Sequence, residues 1–325
     1  MEDEPTEVRI RPHRTPAHRR NPLIAVFMTL REALTRATRQ LDAVPNLRAD
    51  AARDAALLLR HALGISHAAQ LADPNRALTP AQQAAYDALI QRRLTCEPIQ
   101  YITGEQEFYG LALRVTPAVL IPRPETERLV EAVLAEFDPT QPLRILEVGT
   151  GSGAIAIALA RHLPHAFITA VDLSSAALEV AASNAARHAL TDRIRFLASD
   201  LLAALSPDES LFDAPGSPAS GLGSQGWDAI VSNPPYVPTT DRAGLHPQVR
   251  DHEPAGALFA GPEGLDIYRR LFPQARAALR PDGLLALEIG QGQRDSIDAL
   301  LADWTQVRFV DDLQRIPRIA LARNP

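Results

Sequence analysis

The sequence predicts an open α/β sheet of seven mostly parallel strands, preceded by a small bundle of helices. Three observations predict it. From residue 143 onward, short apolar runs alternate with amphipathic stretches, the pattern of strands and their crossover helices. A glycine-rich run, Gly149-Thr150-Gly151-Ser152-Gly153, lies where the first of those strands turns into its helix. Residues 29–95, in contrast, carry helical periodicity and no convincing strand.

Taken in order, residues 1–27 are polar and interrupted by Pro5, Pro12, Pro16 and Pro22, and read as a disordered extension. Met28 stands directly before Thr29-Leu30-Arg31-Glu32, a capping box, and marks the expected start of the folded chain. Leu30, Leu34, Ala37 and Leu41 then share one helical face. A second helix spans about Ala49–Leu63 and stops at Gly64, and Thr79-Pro80 opens another to about Leu94. Residues 28–96 thus form a helical domain without a cluster of catalytic residue types, better suited to holding a partner. Residues 97–117, from Gln100-Tyr101-Ile102 to Val115, read as a β-hairpin connector. The catalytic domain is expected over 118–325. A rigid turn at Leu120–Glu127 feeds a helix to about Phe137. Strands follow at 143–148, 167–172, 194–199, 227–232, 283–289, 306–311 and 317–322, with helices at 152–163, 174–188, 266–280 and 294–302. The last two strands suggest an antiparallel edge. Residues 205–226, rich in Ser, Gly and Pro, read as a mobile surface insertion.

Composition excludes several function classes. At 325 residues, 46% hydrophobic and 22% charged, the chain has ordinary globular proportions and room for about two domains. No apolar run approaches the roughly 18 residues of a membrane span, so no membrane partner is expected. One cysteine, Cys96, excludes an intrachain disulfide, and no Cys/His spacing suggests a metal site. The acidic start Met1-Glu2-Asp3-Glu4 is unlike a secretory or transit peptide, so the expected home is cytoplasmic. A net charge of −6 argues against direct nucleic-acid binding as the main task, although all 33 basic residues are arginine. A monomer is expected.

Two stretches carry chemistry. Trp227–Val231 reads as a buried strand that must stop at Pro234-Pro235, which cannot donate ladder hydrogen bonds. Asn233 is therefore held at a strand end, where open parallel sheets bind ligands. The side-chain oxygen of Asn233 and the carbonyl of Pro234 make an acceptor pair for both hydrogens of a planar –NH2 group. Tyr236 adds an aromatic face. The second stretch is the glycine loop, where a missing Cβ lets a nucleotide approach the backbone. Asp172 ends the next strand, where a carboxylate can accept from both ribose hydroxyls. Gly149-x-Gly151-x-x-Ala154 also satisfies a loose dinucleotide fingerprint, so the loop alone leaves the cofactor open.

With the acid before it, Glu147-x-Gly149-x-Gly151-x-Gly153 resembles the loop of S-adenosylmethionine-dependent methyltransferases. Followed by Asn233-Pro234-Pro235-Tyr236, it is similar to the amino-methyltransferases among them. Pro98-x-Gln100-Tyr101-Ile102-x-Gly104, Glu107-Phe108-x-Gly110, Leu120-Ile121-Pro122-Arg123-Pro124-Glu125-Thr126-Glu127, Glu253-Pro254 and Leu287-Glu288-Ile289-Gly290 resemble the release-factor glutamine methyltransferases, the HemK/PrmC family. The resemblance spans roughly residues 28–325. It implies a Rossmann-like seven-stranded methyltransferase domain using S-adenosyl-L-methionine, with peptide chain release factors as protein partners. It further implies transfer of a methyl group to the glutamine amide of their Gly-Gly-Gln motif. Gly149, Thr150, Gly151, Ser152, Gly153, Asp172, Asp200, Leu201 and Asn233 would bind the cofactor, Asp200 and Leu201 around its adenine. Asn233, Pro234, Pro235 and Tyr236 would bind the glutamine, with Asn233, Pro234 and Tyr236 catalytic. The rival reading is an adenine-N6 methyltransferase acting on DNA or RNA, since the same tetrapeptide can hold a flipped base.

Overall fold

Thr29 caps the first helix, α1 (Leu30–Asp42), through the expected reciprocal box with Glu32. The computed structural model describes Met1, residues 28–205 and residues 226–325, so the expectations for residues 2–27 and 206–225 lie outside the described residues. Helices α2 (Ala51–Leu63), α3 (His67–Ala72) and α4 (Pro80–Leu94) complete the N-terminal bundle. Leu30, Leu41, Leu58, Leu59, Tyr86 and Ile90 form its apolar centre. Across it, the guanidinium of Arg93 donates to the Asp54 carboxylate at 2.8 Å, with both side chains almost wholly out of water.

Gln100-Tyr101-Ile102 differs from expectation. These residues lie in a short helix, α5 (Ile99–Thr103), closed by Gly104 at φ 79°. A three-residue apolar run does not distinguish a helical turn from a strand by periodicity, and burial of Tyr101 and Ile102 against the bundle and the hairpin base decides it. The hairpin itself pairs β1 (Glu105–Phe108) with β2 (Leu111–Arg114). Helix α6 (Pro124–Leu134) follows.

The remaining elements are β3 (Leu143–Val148), α7 (Ala154–His162), β4 (Ala166–Asp172), α8 (Ser175–Arg187), β5 (Ile194–Ala198), β6 (Trp227–Ser232), α9 (Pro247–Arg250), α10 (Asp266–Ala278), β7 (Leu279–Glu288), α11 (Arg294–Leu300), β8 (Thr305–Asp311) and β9 (Pro317–Arg323). The seven strands lie in the order β5-β4-β3-β6-β7-β9-β8. The first five run parallel and β9 is antiparallel to both its neighbours, the expected edge. Side chains alternate between two faces with period two. Ile145, Val231, Ala286 and Leu321 join one cluster with residues of α6 and α7. Leu146, Ile230, Leu287 and Ala320 join another with residues of α10 and α11. Strand order reverses between β3 and β6, so a crevice opens at their carboxyl ends. No helix of the described residues is long and apolar enough to cross a membrane.

The Arg93–Asp54 pair gives a stability test. Asp54→Ala leaves a buried guanidinium without its counter-charge and is expected to destabilise the protein by about 3–5 kcal/mol. Urea unfolding of variant and parent proteins measures it.

Candidate active site

Register places the site. In the ladder, Val148 of β3 pairs with both Val171 of β4 and Ser232 of β6, and Ser232 pairs with Leu287 of β7. The next residue on each strand is therefore Gly149, Asp172, Asn233 and Glu288, side by side along one edge. The Ser232 hydroxyl fastens the two central strands at this level, donating to the Val148 carbonyl at 2.6 Å.

The glycine loop takes left-handed backbone at Gly149 (φ 75°), Gly151 (φ 55°) and Gly153 (φ 82°). A Cβ on Gly149 or Gly151 would meet nothing within 4 Å, so open space borders the loop there. A Cβ on Gly153 would instead press on Ala181 and Ile157 at 3.2 Å, so that glycine serves the packing of α7 on α8. Asp172 accepts from the Gly151 N–H through Oδ2 and from the Ser174 N–H through Oδ1, both at 2.9 Å. Each oxygen keeps a lone pair for a further donor. Asn184, buried on α8, holds the loop from behind. Its Nδ2 donates to the carbonyls of Ser152 and Arg114, and its Oδ1 accepts from the Arg114 N–H at 2.7 Å. Glu147 is fully buried beneath the loop. Its Oε2 accepts from the Thr150 hydroxyl at 2.7 Å and the Ala156 N–H at 3.1 Å, and its Oε1 has no hydrogen-bond partner among the described residues. Desolvation dominates, and it pushes the carboxyl pKa up to about 8 against the pull of those donors.

The tetrapeptide after β6 is held by a second buried carboxylate. Asn233 Nδ2 donates to Thr126 Oγ1 at 3.0 Å, and that hydroxyl donates to Glu288 Oε2 at 2.6 Å. The Tyr236 hydroxyl donates to Glu288 Oε1 at 3.2 Å. With its nitrogen so engaged, Asn233 has Oδ1 free of hydrogen bonds among the described residues, and the Pro234 carbonyl is free in the same sense. Burial pushes Glu288 up to about 7, with the hydrogen bonds from Thr126 and Tyr236 opposing it. The Tyr236 hydroxyl is raised well above its ordinary range, first by desolvation and then by Glu288. Gln293 clamps the far side: its Nε2 donates to the Tyr236 and Gly264 carbonyls, and its Oε1 accepts from the Gly290 N–H. Gly264, at φ 73°, has to be a glycine, since a Cβ there would lie 2.2 Å from the Tyr236 carbonyl oxygen.

The structure thus brings the glycine loop, Asp172 and Asn233–Tyr236 to one edge. Asp200 and Leu201 follow β5, at the end of the same row. The Asp200 carboxylate is ion-paired to Arg270 at 2.7 Å, and Leu201 takes φ 52° and is buried against the second apolar cluster. Thr126, Asn184 and Gln293 bear on the site and were not singled out by sequence, and Glu288, which sequence offers as a residue that could line the cleft in a structural role, supports it from behind. Thr126 and Glu288 lie in stretches that resemble the family, but only the fold shows their side chains meeting. Chemically, the arrangement presents open backbone and a carboxylate on one side and two free carbonyl-type acceptors on the other.

Comparison with known proteins follows this division. Residues 32–104 match the model of the PrmC N-terminal domain, and residues 145–223 match a methyltransferase domain. The release factor glutamine methyltransferase of Koribacter versatilis is 44% identical over 302 residues, covering 92% of this chain and 99% of that protein. That of Moorella thermoacetica is 45% identical, covering 84% of this chain and 89% of the other. Among solved structures, the hMettl16 catalytic domain with an RNA hairpin aligns at a TM-score of 0.50 and 15% identity, over 66% of this chain and 76% of that one, a likeness of fold alone.

Glu147 supplies a pH test. Its folded pKa lies above the ordinary 4.5, so its protonated form stabilises the fold, and that contribution is lost as pH rises from about 4.5 through about 8. Glu147→Gln removes the titration. Melting temperatures of the ligand-free proteins should show the variant gaining on the parent between pH 5 and about pH 8, and levelling off above it.

Proposed function

The chain belongs to the release factor glutamine methyltransferase family, and we propose that it methylates the side-chain amide nitrogen (N5) of the glutamine in the Gly-Gly-Gln motif of peptide chain release factors, using S-adenosyl-L-methionine. The observation that carries the chemistry is the pair of free acceptors, Asn233 Oδ1 and the Pro234 carbonyl, one residue beyond a strand that pairs with the one feeding the glycine loop. In this reading the protein acts as a monomer in the cytoplasm. The helical domain over 28–96 grips the factor and 118–325 performs the transfer.

The open space beside Gly149 and Gly151 fits a nucleotide lying on the backbone, and Asp172 has lone pairs for ribose hydroxyls. Thr150, Ser152 and Gly153 complete the loop, and Asp200 and Leu201 border the adenine end. When bound, the cofactor supplies an electrophilic methyl group. A carboxamide nitrogen is a poor nucleophile because its lone pair is delocalised into the carbonyl, and no side chain here can deprotonate it near neutral pH. The protein's task is therefore positioning. Asn233 Oδ1 and the Pro234 carbonyl accept the two N–H bonds and aim the nitrogen. As nitrogen takes its new bond it becomes positive, and both acceptors hold it more strongly than in the ground state. Pro234 and Pro235 fix two φ angles, so the acceptors lose little freedom on binding. Tyr236 packs on the amide plane and excludes water, and the displaced proton leaves to solvent.

Radiolabelled S-adenosylmethionine with purified release factor tests the function: label should enter the factor, not a Gln→Ala variant of its tripeptide, and not DNA. Asn233→Ala should lower kcat by about 10²–10³, the scale of one well-placed polar contact, with cofactor Kd changed much less. Asp172→Ala should weaken cofactor binding about 10- to 100-fold by calorimetry, as expected for charge-assisted hydrogen bonds.

A further inference from the structure

A carboxamide fits its own outline when flipped, exchanging Oδ1 for Nδ2. In the proposed reaction the flip matters, because the substrate nitrogen brings hydrogens and Asn233 must offer oxygen. The chain behind Asn233 decides which atom faces the cleft. Thr126 has a single hydroxyl proton, and it goes to Glu288 Oε2 at 2.6 Å. The same hydroxyl oxygen can then only accept from Asn233, which it does from Nδ2 at 3.0 Å. An ionised carboxylate is purely an acceptor, so the chain runs in one direction.

We infer that Glu288, acting through Thr126, is a positioning residue that locks the Asn233 carboxamide with Oδ1 toward the substrate. This deepens the functional reading above and rests on it. The geometry is built for the role: Glu288 is 2% exposed, Thr126 is 4% exposed, and both carboxylate oxygens are occupied by hydroxyl donors. The groups facing Glu288 are Thr126 and Glu125 from α6, Tyr236 beyond β6, Tyr268 from α10 and Arg318 from β9. Tyr268 reaches the Glu288 main chain, its hydroxyl donating to the carbonyl at 2.9 Å. Arg318 favours the carboxylate and Glu125 opposes it.

A proton on Glu288 removes the bias. The neutral acid can donate to Thr126 and Thr126 can donate to Asn233 Oδ1, and the chain then runs backward with Nδ2 in the cleft. With Glu288 near 7, positioning is retained above that pH and lost as pH falls through it.

The test is kcat under saturating cofactor and release factor, from pH 5.5 to 9, for the parent, Thr126→Val, Thr126→Ser and Glu288→Gln, with cofactor Kd and melting temperature as controls. The parent should show an acid limb near pH 7. Thr126→Val should lose about tenfold or more in kcat with Kd unchanged, and Thr126→Ser should restore it to within about threefold. Glu288→Gln should remove the acid limb. A Thr126→Val protein with parental kcat, a serine variant as impaired as the valine one, or a glutamine variant that keeps the limb overturns the inference while leaving the function intact. A parent protein that methylates no glutamine at any pH overturns the functional reading and this role together.

Discussion

The structure depends on the alignment of four parallel strands so that Val148, Val171, Ser232 and Leu287 lie level. Once Val148 is paired with Val171 and Ser232, and Ser232 with Leu287, the next residue on each strand is placed by a ladder whose spacing is about 4.8 Å. A shift of one residue in β6 would turn Asn233 to the other face and separate it from Thr126. The apolar alternation makes such a shift costly. Ala229 and Val231 are buried in one cluster and Ile230 in the other, and all three would exchange faces. Burial of ordinary Val, Ile and Leu thus sets the positions of the polar groups.

The same alternation explains two carboxylates in the interior. Glu147 and Glu288 lie on the sheet face covered by α6 and α7, next to Ile145 and Ala286 in parity. Desolvation raises both, to about 8 and about 7. They differ in how their oxygens are used. Glu147 has one oxygen doubly occupied and one without a partner among the described residues, while each Glu288 oxygen receives a hydroxyl. Buried acids weaken a fold unless they are compensated, so two near the ends of the strands that flank β6 signal a site shaped by chemistry more than by stability. Part of their compensation comes from helix starts, Thr126 in the first turn of α6 and the Ala156 N–H in the first turn of α7, and the rest from the hydroxyls of Tyr236 and Thr150.

Much of this was legible in the chain. Alternating texture places the seven strands to within a few residues, because a buried strand is a short apolar run, as at Leu143–Val148 between Pro142 and Gly149. The glycine loop and the proline pair were legible because their backbone demands leave few residue choices. Asn233, Asp172 and the loop meet at one edge because strand order follows from the crossover pattern. Thr126 and Glu288 stand 162 residues apart, and no local pattern announces a contact between them. Asn184 and Gln293 were hidden for a different reason. A lone amide in a helix or just before one looks like a solvated side chain until the backbone groups it satisfies are in place. The helix at Ile99–Thr103 escaped because a single turn is shorter than the period that would reveal it.

The relation between the bundle and the acceptor pair follows from the segment after Tyr236. That segment folds back through Val237, whose N–H donates to the Leu258 carbonyl at 2.8 Å, and it reaches the bundle at two points. His246 Nε2 lies 2.9 Å from the Asn46 carbonyl and His252 Nε2 lies 3.0 Å from that of Thr95. Between them and the site, buried Glu253 pairs with Arg123 and accepts from the Ile121 N–H, which fixes the turn that opens α6 and so places Thr126. In the proposed reading, a partner gripped by the bundle would be referred to the acceptor pair through hydrogen bonds at each step rather than through a free linker. For a glutamine on a large protein this matters more than for a small ligand. In that reading, orientation of the whole partner would be settled before its amide reaches Asn233, and a rigid connection would let contact at the bundle contribute to that alignment.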